Sequence, residues 1–264
     1  MRFPIWQVDA FTDRLFAGNP AAVCLLAEFP DDERMLAVAR ENNLSETAFL
    51  VRVGDGRYRL RWFTPQVEVP LCGHATLASG FVVMDLLGTG LREVAFETRS
   101  GPVSVERDES DDDLLVLDFP AQPVSPCAAP AELARALGCE PVEVHANERA
   151  YLVVLGDEAA VRALAPDFQA LERLDRGYVM ATARGREADF VSRFFAPAVG
   201  VPEDPVTGAA HCSLAPFWAA RLGRDDLVAH QVSRRGGELR CGVRGDRVRI
   251  GGRAVLYLEG FAHA

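Results

Sequence analysis

Apolar and polar residues alternate in short runs along much of the chain, and the runs read as strands. Phe3 to Ala10 and Pro20 to Leu26 form the first two, separated by a turn at Gly18-Asn19-Pro20. Asp31 and Asp32 open a helix whose apolar positions Met35, Leu36, Val38 and Ala39 share a face, and Asn42-Asn43 close it. Thr47 to Val53 and Tyr58 to Phe63 continue as strands. The pattern then changes: from His74 to Gly88 the residues are apolar nearly all the way round a helix, so that helix must be enclosed by other structure. Strands follow at Glu93 to Thr98, Gly101 to Arg107 and Leu114 to Phe119. An enclosed helix in a strand-rich half predicts a sheet wrapped around a helix, not alternating βαβ units.

The second half repeats the scheme loosely. A short helix at Ala131 to Leu137, strands at Val142 to His145 and Tyr151 to Leu155, and an Ala-rich helix from Asp157 lead to strands at Tyr178 to Ala183 and Asp189 to Phe195. A second apolar helix, Gly208 to Leu222, is expected to bend at Pro216. Strands near Val228 to Ser233, Glu238 to Val243, Arg247 to Ile250 and Ala254 to Glu259 complete the chain.

One stretch occurs twice. Arg61-Trp-Phe-Thr-Pro-Gln-Val-Glu-Val-Pro-Leu-Cys72 and Arg193-Phe-Phe-Ala-Pro-Ala-Val-Gly-Val-Pro-Glu-Asp204 share Arg, Phe, Pro, Val, Val and Pro at the same six places, 132 positions apart, which is half of 264. A duplication at half-length predicts two similar domains. The boundary is expected in the Pro-rich stretch Pro120 to Pro130, giving domains 1–119 and 120–264 with the last strand free to cross back. In this register Cys72 falls on Asp204.

Composition narrows the function. The net charge of −10 argues against nucleic acid or anionic membrane as partner. No charged leader and no apolar run of about 20 residues is present, so a cytoplasmic location is expected. The six cysteines have irregular spacings, which indicate neither a disulfide framework nor a zinc ribbon. Lysine is absent altogether. A Schiff-base lysine for pyridoxal phosphate and a phosphate-loop lysine are therefore impossible.

Chemistry concentrates around the repeat. Both copies run into an apolar helix, one at Cys72-Gly73-His74 and one at Thr207-Gly208-Ala209. Glycine at a helix start lets a carboxylate approach free N–H groups, although tight turns use the same residue. Cys72 is either a thiolate base activated by the helix start and His74, or a small buried hydrophobe. His74 is a proton donor, a substrate ligand or a structural histidine. Asp204 is an acid/base or a turn cap. Cys72, His74 and His211 can be assembled on paper into a metal site, but no spacing fixes a ligand set, so no metal is expected. Glu46 lies in Asn43-Leu-Ser-Glu-Thr-Ala-Phe-Leu50, where partial desolvation at a strand entrance would suit a general base. A surface glutamate at a strand edge reads the same way.

These segments together resemble the phenazine-biosynthesis PhzF-like isomerases, a family similar in fold to diaminopimelate epimerase. The resemblance rests on Asp9-Ala-Phe11, Gly18-Asn-Pro-Ala-Ala-Val23, Asn43-Leu-Ser-Glu-Thr47, Phe63-Thr-Pro65 through Thr76, and Phe195-Ala-Pro197 through Gly208. It implies an α+β fold of two pseudo-symmetric domains, each a mixed β-barrel-like sheet around a central apolar helix, with the active site in the cleft between them. It further implies a cofactor-independent isomerase, a homodimer, that moves a proton on a small carboxylate-bearing substrate with Glu46 as acid/base and His74 and Asp204 as its helpers. Asn19, Cys72, Gly73, Thr207, Gly208 and Ala209 are then expected to line the substrate. Ala209 and Ala210 stand where the family usually has a serine. The alternatives are an epimerase using Cys72 and Asp204 as opposed bases, and a non-catalytic binding protein. Alkylation of Cys72 separates the first from the Glu46 route.

Overall fold

A computed structural model describes all 264 residues as a mixed α+β protein that divides into two compact units. The first holds Met1–Asp118 together with Gly251–Ala264, and the second Phe119–Ile250. The Pro-rich stretch is not a free linker. It is built into the second unit, where Ser125–Pro126 pairs with His145 and Ala146 and the Cys127 amide donates to the Val144 carbonyl.

In the first unit, Arg2–Ala10 lies between two antiparallel partners, Asn19–Leu26 and the late strand Ala254–His263. The chain leaves Asn19–Leu26 through the helix Asp32–Asn42 and returns as Glu46–Gly54, parallel to Asn19–Leu26 with Ala21 opposite Glu46. That helix forms because Asp31 caps it, accepting from the Arg34 amide at 2.8 Å, and because Asn43 ends it in the left-handed region. Met35 and Ala39 carry its buried face. Glu46–Gly54 then pairs antiparallel with Arg57–Phe63, which takes Glu68–Val69 antiparallel and Glu93–Thr98 parallel, and Gly101–Arg107 follows.

The second unit repeats this order of pairings. Glu143–Ala146 is antiparallel to Ala150–Val154, which is parallel to Tyr178–Arg184 across a crossover holding Glu158–Ala163 and Phe168–Glu172. Tyr178–Arg184 pairs antiparallel with Phe190–Ala196, which takes Val201–Asp204 antiparallel and Asp226–Gln231 parallel, and Gly237–Arg244 follows. Each unit therefore holds two parallel strand pairs joined by helix-bearing crossovers, set among antiparallel pairs and not in an alternating βαβ order.

Each unit also encloses one apolar helix. In Gly73–Phe81 every residue up to Gly80 is buried, and its hydroxyls are satisfied by the helix itself: Thr76 and Ser79 donate to the carbonyls of Cys72 and Ala75. Gly80 sits where a Cβ would come within 2.6 Å of Val105, so the helix presses directly on the strand Gly101–Arg107. The α-helix stops at Phe81 and the chain continues as a π turn, Val82–Leu86, where the sequence predicts one longer helix. The second helix, Gly208–Leu222, runs on through Pro216. Proline has no N–H for the Cys212 carbonyl, and the Gln122 amide takes that carbonyl instead, at 2.9 Å. No helix is long and apolar enough to cross a membrane.

Candidate active site

Three elements of the first unit converge on His74. Gly18 has φ +64° and no room for a Cβ, which would lie 2.2 Å from the Ala10 carbonyl, and this tight turn delivers Asn19 at the head of its strand. Glu46 opens the neighbouring parallel strand. Cys72 is the extended N-cap of the apolar helix, and His74 is that helix's second residue. The Asn19 side chain is fully buried, with Nδ2 3.1 Å from His74 Nδ1. Glu46 Oε2 lies 3.2 Å from His74 Nε2, and Cys72 Sγ lies 3.5 Å from Nδ1.

Burial pushes the His74 pKa down to about 3, so the imidazole is neutral at physiological pH. A neutral ring carries one N–H. Because the Asn19 amide donates to Nδ1, that proton sits on Nε2, on the side of Glu46. Asn19, expected among the substrate-lining residues, is thereby placed as the residue that orients His74. The neutral ring offers Cys72 no positive charge for thiolate activation; what lies beside the sulfur is the Nδ1 that also accepts from Asn19.

In the second unit Asp204 ends its strand, and its Oδ2 accepts from the Thr207 hydroxyl. Thr207 is the N-cap of Gly208–Leu222, with Gly208 buried and Ala209 exposed at the helix start. Gln231, which nothing in its local sequence singles out, holds this corner. It is buried, accepts from the Thr207 amide at 2.8 Å and donates to the Asp204 carbonyl at 2.7 Å. His211 is buried; its Nδ1 donates to the Thr207 carbonyl at 2.9 Å and its ring packs beside Phe190. His211 is thus a helix-start residue held in packing, and the donor that joins Cys72 and His74 within one cluster is Glu46.

The two units correct the register of the repeat. Trp62 pairs with Val69 in the first, whereas Phe194 pairs with Asp204 in the second, because the 3-10 turn Pro197–Val199 and Gly200 lengthen the connection. The ion pair that both units contain moves likewise: Arg61 holds Glu68, and Arg193 holds Glu203. Up to the first strand of this hairpin the offset is 132; beyond the turn it is 135, as the helix starts Gly73 and Gly208 attest. Thr76 and His211 also share a position, each donating to the carbonyl of its helix N-cap. Cys72 therefore corresponds to Thr207 and His74 to Ala209. Asp204 corresponds to Val69, so the symmetry argument that opposed Cys72 to Asp204 does not hold. On the unshifted side, Glu46 corresponds to Tyr178, each heading the strand that returns from the crossover.

Against known proteins, residues 8–260 match the family model described as phenazine biosynthesis-like protein. An uncharacterized isomerase of Pseudomonas aeruginosa is 55% identical over 263 residues, covering 100% of both chains. The crystal structure of a PhzF-family phenazine biosynthesis protein from Enterococcus faecalis matches with a TM-score of 0.95 at 43% identity, again over 100% of both chains. A hydroxyproline epimerase from Agrobacterium vitis, at 14% identity, shares the fold with a TM-score of 0.62 over 98% of this chain and 92% of its own.

Proposed function

The chain belongs to the phenazine biosynthesis-like family and is an isomerase, and on that premise we propose that it moves a proton on a small carboxylate-bearing substrate, without a cofactor, with Glu46 as the shuttle. The observation that carries this reading is the Glu46–His74–Asn19 chain. A carboxylate and a neutral imidazole lie 3.2 Å apart, and the ring is fixed by a fully buried amide. Glu46 takes a proton from the substrate carbon next to the carboxylate or conjugated system and returns it to another carbon. The His74 Nε2–H lies beside the carboxylate, 3.2 Å away and off the line of a hydrogen bond, and a small rotation would bring it into line as the charge changes, without altering the ring's own protonation. The Gly73 and Gly208 helix starts, with Thr207 and Ala209, are assigned to the substrate carboxylate, and Asp204 to holding the substrate and relaying protons.

A second reading has a specific observation behind it. Cys72 Sγ lies 3.5 Å from a ring nitrogen of His74, a contact that orients the thiol and favours an epimerase in which Cys72 is one base. Its partner would be Asp204 without the help of symmetry, since Thr207 occupies the position matching Cys72 and a threonine hydroxyl is no base at neutral pH.

The test is solvent-deuterium wash-in. Wild-type protein and Glu46→Gln are incubated in D₂O with a panel of amino- and hydroxy-substituted cyclic and acyclic carboxylates, 4-hydroxyproline and diaminopimelate among them, and read by NMR. Exchange into one compound that disappears in Glu46→Gln supports the shuttle. Exchange that persists in that variant and is lost on alkylation of Cys72 transfers the role to the thiol.

A further inference from the structure

Cys72 Sγ, a His74 ring nitrogen and a Glu46 carboxylate oxygen all lie within 4.8 Å of one another, in a setting where Cys72 and His74 are buried and Glu46 nearly so. Thiol, imidazole and carboxylate together form a donor set that suits zinc-class cations and not magnesium or calcium. Ligand atoms around a tetrahedral zinc stand about 3.3–3.7 Å apart, so the cluster has to close by up to about 1.5 Å. His74 supplies an independent sign. Its Nε2 is buried yet makes no hydrogen bond, lying 3.2 Å from Glu46 Oε2 but off the line of one.

We propose that Cys72, His74 Nε2 and Glu46 form a three-ligand site for a thiophilic divalent cation of the zinc class, and that its occupation switches the enzyme off. Three protein ligands leave a fourth position to water. On binding, the Cys72 thiol releases its proton to solvent and the imidazole proton moves from Nε2 to Nδ1, with Nε2 now donating its lone pair to the cation. The Asn19 amide then turns its carbonyl to accept from Nδ1–H, the outer-shell contact that metal-bound histidines ordinarily make. The inhibition rests on the Glu46 shuttle, because the cation would hold the shuttling carboxylate; the binding does not.

The test uses the reduced, metal-free protein and Co²⁺ as a spectroscopic probe. Wild type is expected to take up one equivalent, with a thiolate-to-cobalt charge-transfer band in the near ultraviolet and the intense visible absorption of a tetrahedral ion, both removed by added Zn²⁺. Cys72→Ser should lose the near-ultraviolet band, and Glu46→Gln should keep it while binding about tenfold or more weakly. Cys127→Ser and Cys139→Ser, at the two partly buried thiols outside the cluster, should match wild type. Circular dichroism confirms that each variant is folded, and Cys72→Ala replaces any serine variant that is not. Absence of the band at saturating cobalt, or its survival in both Cys72 variants, overturns the site. Deuterium wash-in with Zn²⁺ bound keeps the two readings apart: binding with the expected ligand dependence but undiminished exchange leaves the metal site standing and removes the Glu46 shuttle.

Discussion

The first unit and the second are built by the same sequence of pairings around the same kind of helix, and what they share differs from what they do not. The shared pairs are framework. Arg61 holds Glu68 as Arg193 holds Glu203, and Gly73 starts one helix as Gly208 starts the other. The positions that part company carry the titratable chemistry. Glu46 faces Tyr178 in the comparison, Cys72 faces Thr207, and His74 faces Ala209. One unit has gathered a carboxylate, an imidazole and a thiol, and the other presents hydroxyls, a carboxylate and exposed backbone at a helix start. A duplicated scaffold has in this way kept its framework pairs and diverged at the positions that carry these side chains.

The sharpest way to break this division is to exchange its partners. Glu46→Gln should lower deuterium exchange by about 10²–10⁴-fold, the range a positioned acid/base contributes, whereas Tyr178→Phe should leave it nearly unchanged. Equal losses in the two variants would put the chemistry in both units. The framework pairs should behave as equals: Arg61→Ala and Arg193→Ala are each expected to lower stability by about 1.5–3 kcal/mol in urea denaturation, since each removes charge-assisted bonds from a largely buried carboxylate. Packing should distinguish the helices. Gly80→Ala drives a Cβ into Val105 and should cost about 1–3 kcal/mol, while the matching residue of the second helix is already Ala215, fully buried.

Each unit also contributes one histidine to the acid limb of stability. Burial lowers His74 to about 3 and His211 to about 4, both below the unfolded value near 6.5. The unfolded chain binds the extra protons in that interval, so stability is full above about pH 6.5 and falls as the pH drops toward 3–4. His74→Gln and His211→Gln should each flatten that limb in part, as read from urea midpoints between pH 4 and 7. A further effect is expected at the second unit's corner. Gln231→Leu leaves the Thr207 amide and the Asp204 carbonyl without their partner and should cost about 1–3 kcal/mol, with a smaller change in exchange than Glu46→Gln gives.

Much of the framework was legible in the chain. Asp31 and Asn43 bounded their helix because capping is local chemistry, and Gly208–Leu222 stood out as an apolar run after the second copy of the repeat. The family motifs also brought Glu46 and His74 together in advance. The register of the repeat was misread because Val199, Val201 and Pro202 match Val67, Val69 and Pro70 at 132 by coincidence, which masked the three-residue lengthening of the turn. A better signal was present: Glu-x-Pro-x-x-Gly-x-Ala begins at Glu68 and again at Glu203, carrying the 135 offset in four identities. Gln231 and the role of Asn19 gave no such sign. A lone amide acquires its meaning only from the atoms that folding places beside it, and those come from Asp204 and Thr207 in one case and from His74 in the other.

The late strand Ala254–His263 pairs with Arg2–Ala10 along its whole length, so residues 119–250 interrupt the first unit in the chain. On the ribosome, the strand that bears the head of the sheet waits unpaired on that side until the entire second unit has been made. The half of the molecule that is translated first is the half that finishes folding last, and the second unit is complete while the groups around Glu46 are still being assembled. A nascent chain would therefore complete the unit that holds Asp204 and Thr207 before the one that holds Glu46 and His74. Joining residues 1 and 264 and opening the chain at an exposed loop of the second unit would reverse that order.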